Sequence, residues 1–88
     1  MNLLYSSRFE KDLRNIADAT AKADITEALV MLKSVAKPSE IPNLKKIQGA
    51  RNAFRVKAGE FRLAFYLNGD TISLARCVNR KDIYKSFP

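Results

Sequence analysis

The chain has 88 residues, 47% apolar and 28% charged, which suits one packed domain over 1–88 and excludes a disordered or collagen-like chain. It contains no histidine, so nucleophile–imidazole pairs, histidine nucleases and His-ligated metals are excluded. Lysine and arginine number 16 against 9 acids, and the whole surplus of +7 lies in residues 45–88, a field that favours nucleic acid or an acidic protein partner.

The opening apolar run, Leu3-Leu4-Tyr5, is too short for a signal core or a membrane span. Asn2 to Tyr5 reads as a short strand. Ser7 followed by Glu10 has capping-box spacing and predicts a helix start. Phe9, Leu13, Ile16, Ala17 and Thr20 then share one helical stripe. Asp24 and Glu27 repeat the capping spacing ahead of a second stripe: Ile25, Ala28, Leu29, Leu32, Val35 and Ala36. Two amphipathic helices with a tight link predict a helical hairpin covering a sheet. Pro38 and Pro42 end the second helix and make an extended connector.

From Ala53 the apolar period falls from 3.6 to 2. Phe54, Val56 and Ala58 alternate with Arg55 and Lys57. After a turn at Ala58-Gly59, the residues Phe61, Leu63, Phe65 and Leu67 alternate with Arg62, Ala64 and Tyr66. Asn68-Gly69 is a strong hairpin signal, and Thr71 to Val78 gives a third strand with Ile72, Leu74 and Val78 on one parity. Arg76 breaks that parity, through either a sheet-end position or a bulge. The single cysteine, Cys77, reads as an apolar filler and points to a reducing cytosol. The predicted class is α+β, in the order β-α-α-β-β-β(-α). The helical hairpin lies on one face of a mainly antiparallel sheet whose other face is open and basic.

Alternation carries a chemical consequence. If the aromatic residues of the paired strands face the helices, then Arg55, Lys57 and Arg62 project together from the other face. Lys45, Lys46 and Arg51 precede them, and Arg80 and Lys81 follow; Glu60 is the only acid from Asn43 to Gly69. Clustered cations repel until a phosphate or carboxylate sits among them. Such a face suits RNA, whose 2′-hydroxyl is a built-in nucleophile. Fixed cations stabilise the phosphorane charge without metal. A lysine of ordinary pKa ~10.4 is expected to titrate lower with close cations and partial burial, so Lys57 is a candidate base, with Tyr66 and Tyr84 as candidate hydroxyls.

Four stretches carry a family resemblance. They are Leu44-Lys45-Lys46-Ile47-Gln48-Gly49, Asn52-Ala53-Phe54-Arg55-Val56-Lys57, Gly59-Glu60-Phe61-Arg62-Leu63 and Asn79-Arg80-Lys81-Asp82-Ile83-Tyr84. Together they resemble the RelE/ParE toxin superfamily, nearer its RelE branch. The resemblance implies the toxin of a type II toxin–antitoxin pair. Such toxins enter the ribosomal A site and cut mRNA without metal or cofactor, leaving a 2′,3′-cyclic phosphate. Carried over, Arg55 and Lys57 match the strand cations, with Lys57 as base or helper. Arg62 matches the transition-state stabiliser, Arg80 the acid to the leaving 5′-oxygen, and Tyr84 the tyrosine that stacks on or deprotonates the substrate. Lys45, Lys46, Arg51 and Lys81 would bind RNA. Three departures stand out: Arg55 replaces a lysine, Asn79 replaces a histidine or glycine, and the Arg80–Tyr84 spacing is short. The implied partner is an acidic antitoxin, partly disordered alone, through which the complex would bind operator DNA. The implied location is the cytoplasm, with no membrane role. The alternatives are a ParE-like inhibitor of DNA gyrase, whose branch lacks this cation set, and an inactive antitoxin-binding module.

Overall fold

The computed structural model describes residues 1–83, so Tyr84 lies outside the described residues. Five strands form one sheet: β1 (Asn2–Tyr5), β2 (Lys45–Lys46), β3 (Ala53–Ala58), β4 (Phe61–Asn68) and β5 (Thr71–Asn79). Their spatial order is β1-β5-β4-β3-β2. β1 runs parallel to β5, and the other three pairings are antiparallel. Helices α1 (Ser7–Arg14) and α2 (Ala19–Ser34) pack on the sheet, giving the α+β arrangement expected. None of the described helices is long and apolar enough to cross a membrane.

The helix boundaries differ from the sequence expectation, and the caps explain why. The cap of α1 is Ser6, not Ser7: its Oγ accepts the Phe9 N–H at 3.0 Å. Ser6 also closes the β1–β5 ladder, donating its N–H to Leu74 O at 3.0 Å. Strand and helix therefore meet at one residue. The long stripe through Thr20 is interrupted, because α1 stops at Arg14 with Asn15 as its C-cap. Asp18 caps α2 by accepting the Ala21 N–H at 2.8 Å, so Asp24 sits inside the helix and does not start it. A short polar side chain that grips its own backbone outweighs a continuous apolar stripe. At the far end of α2, the Met1 ammonium donates to the carbonyls of Lys33 (2.9 Å) and Val35 (2.6 Å). Pro38 opens a single 3₁₀ turn, Pro38–Glu40, and the connector after it contributes β2 as a short edge strand.

Both tight hairpins have two-residue loops with glycine first. Gly59 (φ +60°) and Gly69 (φ +59°) take the conformation that a side chain resists. β4 and β5 then pair out of simple register: Phe65 faces Leu74, but Ala64 faces Arg76. The extra residue, Ala75, is a β-bulge, which settles the parity break at Arg76. It also corrects one expectation. Beyond the bulge the faces exchange, so Cys77 joins the helix-side core while Val78 faces away from Ile72 and Leu74.

The main core lies between helices and sheet. Phe9, Ile25 and Leu32 pack on Val56, Leu63, Phe65, Ile72 and Leu74, all nearly or fully buried. Phe54 stacks on Phe65 with ring centroids 6.4 Å apart. A second, smaller cluster forms around Ala53, Ala64 and Val78 with Ile47 and Ile83. The sheet face opposite the helices therefore carries an apolar patch beside its cations.

Candidate functional site

Strand register decides which cations meet. Lys57 on β3 stands directly opposite Arg62 on β4, and Arg55 stands opposite Lys45 on β2. Directly opposed side chains start only about 5 Å apart at Cβ and share one face. Their partners on the other parity, Phe54, Val56 and Leu63, belong to the helix-side core. The four cations line one cavity of about 310 Å³ together with Asn43 and Val56. No carboxylate contributes to its wall among the described residues. Two like charges 4 Å apart repel by about 1 kcal/mol even in water. A bound phosphate reverses that sign for every cation at once.

Arg62 is the most constrained of the set. Its Nη1 donates to Gly59 O at 3.0 Å and to Phe61 O at 2.9 Å, and the residue is half-buried. Nε and Nη2 are left for a ligand, a planar pair suited to two phosphate oxygens. Lys45 is exposed, and so is Lys57, against the partial burial expected of it: it stands on the solvent face of β3. Asn43 was not foreseen. It adopts φ +58°, a left-handed conformation that asparagine tolerates, and turns the chain into β2. The Pro42-Asn43 dipeptide is the sequence signal that marks it.

Other candidates lie apart from the cavity. Lys46 is paired with Phe54 and so points to the other face of β2 from Lys45. Its ammonium donates to Arg51 O at 2.6 Å and stands 5.2 Å from the Phe54 ring centroid. Arg51 and Lys81 are exposed in turns that do not line the cavity. Arg80 follows β5, where Asn79 pairs with Phe61. Its Nε forms an ion pair with Glu60 at 3.0 Å, and its N–H donates to Glu60 O at 2.9 Å.

A larger cavity, about 490 Å³, lies where the α1–α2 link meets β5 and includes Asp12, Asp18, Arg76, Cys77 and Asp82 in its wall. Its central carboxylate is already committed. Asp12 accepts Arg76 Nε at 2.8 Å and the Cys77 N–H at 2.9 Å, and pairs with Arg8 at 3.5 Å. Burial, with a smaller push from Asp12 against the pull of Arg76, raises the Cys77 thiol to about 12. A thiol so held is no nucleophile at neutral pH. No group of three metal-ligating side chains is present among the described residues.

Comparison with known proteins gives a consistent picture. No family model matches the sequence. A curated relative, Toxin RelE3 of Methanocaldococcus jannaschii, is 30% identical over 92 residues and is aligned over 100% of both chains. The crystal structure of a RelB–RelE antitoxin–toxin complex from Methanococcus jannaschii superposes with a TM-score of 0.76 at 29% identity, covering 97% of this chain and 99% of that one. A RelE–RelB complex from Pyrococcus horikoshii OT3 gives a TM-score of 0.69 at 17% identity, covering 93% and 97%. At that identity the likeness is one of fold alone.

Proposed function

The chain belongs to the RelE toxin family, and from that premise we propose that it is the toxin of a type II toxin–antitoxin system, an endoribonuclease that cuts mRNA on the ribosome. The observation that carries the reading is the cavity in which Lys45, Arg55, Lys57 and Arg62 converge, with Arg62 already oriented by two carbonyls. A ParE-like gyrase inhibitor would share the fold but has no use for a cavity lined by four cations. The antitoxin–toxin complexes among the similar structures support an antitoxin partner. An acidic antitoxin also fits the net charge of +7. The complex reaches operator DNA through that antitoxin, and the toxin works in the cytoplasm, where ribosomes are.

The chemistry we assign is internal transesterification. The 2′-oxygen attacks the adjacent phosphorus as the P–O5′ bond breaks. One proton leaves the 2′-hydroxyl and one reaches the 5′-oxygen, giving a 2′,3′-cyclic phosphate and a 5′-hydroxyl with no water consumed. Lys57 and Tyr84 stand for the proton-accepting side. Arg55 and Arg62 neutralise the equatorial oxygens, and Arg80 serves the leaving group. Lys45 holds the flanking backbone; Lys46, Arg51 and Lys81 contribute to the outer field. The nucleophile comes from the substrate and the charge compensation from fixed guanidinium groups, so the proposed reaction is metal-independent.

The deciding experiment maps 5′ ends of ribosome-bound transcripts after brief induction and assays gyrase supercoiling beside it. Cuts within A-site codons and untouched supercoiling are expected. Intact transcripts with blocked supercoiling would overturn the nuclease in favour of a gyrase poison. Absence of both effects would leave an antitoxin-binding module.

A further inference from the structure

Three consecutive carbonyls of the β3–β4 turn are taken by candidate site arginines. Gly59 O and Phe61 O accept from Arg62 Nη1, and Glu60 O between them accepts the Arg80 main-chain N–H. The Glu60 carboxylate adds its ion pair to Arg80 Nε at 3.0 Å. A two-residue hairpin loop asks for glycine at positive φ; it does not ask for an arginine side chain on two of its carbonyls or for an ion pair from its second residue to an arginine on the next strand end. The Asp24 side chain of α2 lies beside Gly59. A Cβ on Gly59 would meet the Asp24 carboxylate, so a side chain there asks Asp24 to move as well as straining the positive φ.

We propose that the Gly59–Phe61 turn is a positioning element for both arginines, with Gly59 setting Arg62 and Glu60 setting Arg80. The proposal rests on the nuclease reading above. A guanidinium free to rotate loses conformational entropy when it grips a pentacoordinate phosphate, whereas one held in advance does not. Arg62 is held through Nη1 and keeps Nε and Nη2 for the substrate. Arg80 is held at two points, main chain and side chain, by a single residue. Glu60 lowers the positive field that draws RNA to this face, a cost that makes sense if its service is geometric. Its pair with Arg80 is exposed on both sides, so its effect is modest.

The test is a pair of double-mutant cycles read as single-turnover cleavage of ribosome-bound mRNA at saturating ribosomes, with ribosome affinity measured separately. Gly59→Ala slows cleavage about tenfold in the Arg62 chain and less than about twofold in the Arg62→Ala chain. Glu60→Gln slows it about threefold when Arg80 is present and has no effect on Arg80→Ala. Ribosome binding by Glu60→Gln is unchanged or tighter, since a negative charge has gone. A purely structural turn would instead slow all backgrounds alike or weaken binding, and that result overturns the proposal. So does a Glu60→Gln chain that cuts as fast as the parent or faster. If Gly59→Ala does not fold, the exposed Glu60→Gln cycle decides alone. A parent chain that cuts no mRNA overturns the nuclease reading and the positioning role with it; a parent that cuts beside variants that cut equally overturns the positioning role only.

Discussion

Arg62 is where the fold and the proposed chemistry meet most directly. Its guanidinium is half-buried and held by two carbonyls, so its geometry is set before any ligand arrives. Arg62→Ala is expected to lower single-turnover cleavage about 100-fold, the scale of losing a preorganised charge stabiliser. Arg62→Lys should recover little, because an ammonium cannot reproduce the planar fork. In cells the alanine variant relieves growth arrest and still binds antitoxin; full toxicity would defeat the assignment. Cys77 tests a different property. Its folded thiol, raised to about 12, stays protonated where the unfolded thiol, near 9.0, ionises. The folded state then binds the extra proton, so stability is complete below pH 9 and falls as pH rises from 9 towards 12. Urea titrations should show that loss, and Cys77→Ala should flatten this part of it. The cluster of Arg55, Lys57 and Arg62 was legible in the sequence because alternation is local and each strand reports its own faces. The removal of Lys46 from the cluster was not legible, because it depends on how β2 registers against β3. The Glu60–Arg80 pair was hidden for the same reason: 20 positions separate partners that only the pairing of Phe61 with Asn79 brings together.

At the scale of elements, strand periodicity predicted β3, β4 and β5 well, while helix boundaries slipped. The apolar stripe runs through 16–20 without a break, and only the capping geometry at Asn15 and Asp18 shows where the chain turns. Asp18→Ala is accordingly expected to cost about 1 kcal/mol in chemical denaturation. Ser7→Ala, at the position first suggested as a cap, should change stability by less than about 0.5 kcal/mol. The bulge at Ala75 is a second element whose position was ambiguous in sequence, since Arg76 fitted two readings. Beyond the end of β1, α1 takes over as the neighbour of β5. Asp12 receives the Cys77 N–H and the Arg76 guanidinium with its side chain only 10% exposed. Asp12→Ala removes the carboxylate shared by the Cys77 N–H and an Arg76 side chain that is only 17% exposed. The expected loss is about 3 kcal/mol, read from the denaturation midpoint.

For the molecule as a whole, charge is asymmetric in space as well as in sequence. The cationic strands β2 and β3 lie at one margin of the sheet, and the uncharged β1 lies at the other. Neutralising about four phosphates on a single strand predicts a log–log salt slope for RNA binding near −3, and Lys45→Ala should reduce its magnitude by about 0.7. An unchanged slope would place Lys45 outside the bound footprint. The same sheet order has a consequence for synthesis. The strand made first finds its neighbour only in the strand made last, because Asn2–Tyr5 pairs with Thr71–Leu74. Until that late segment leaves the translation machinery, the opening stretch has nothing to zip onto and the layer beneath the helices stays incomplete. The sheet therefore closes at β1 late, once the segment Thr71–Leu74 is free to pair.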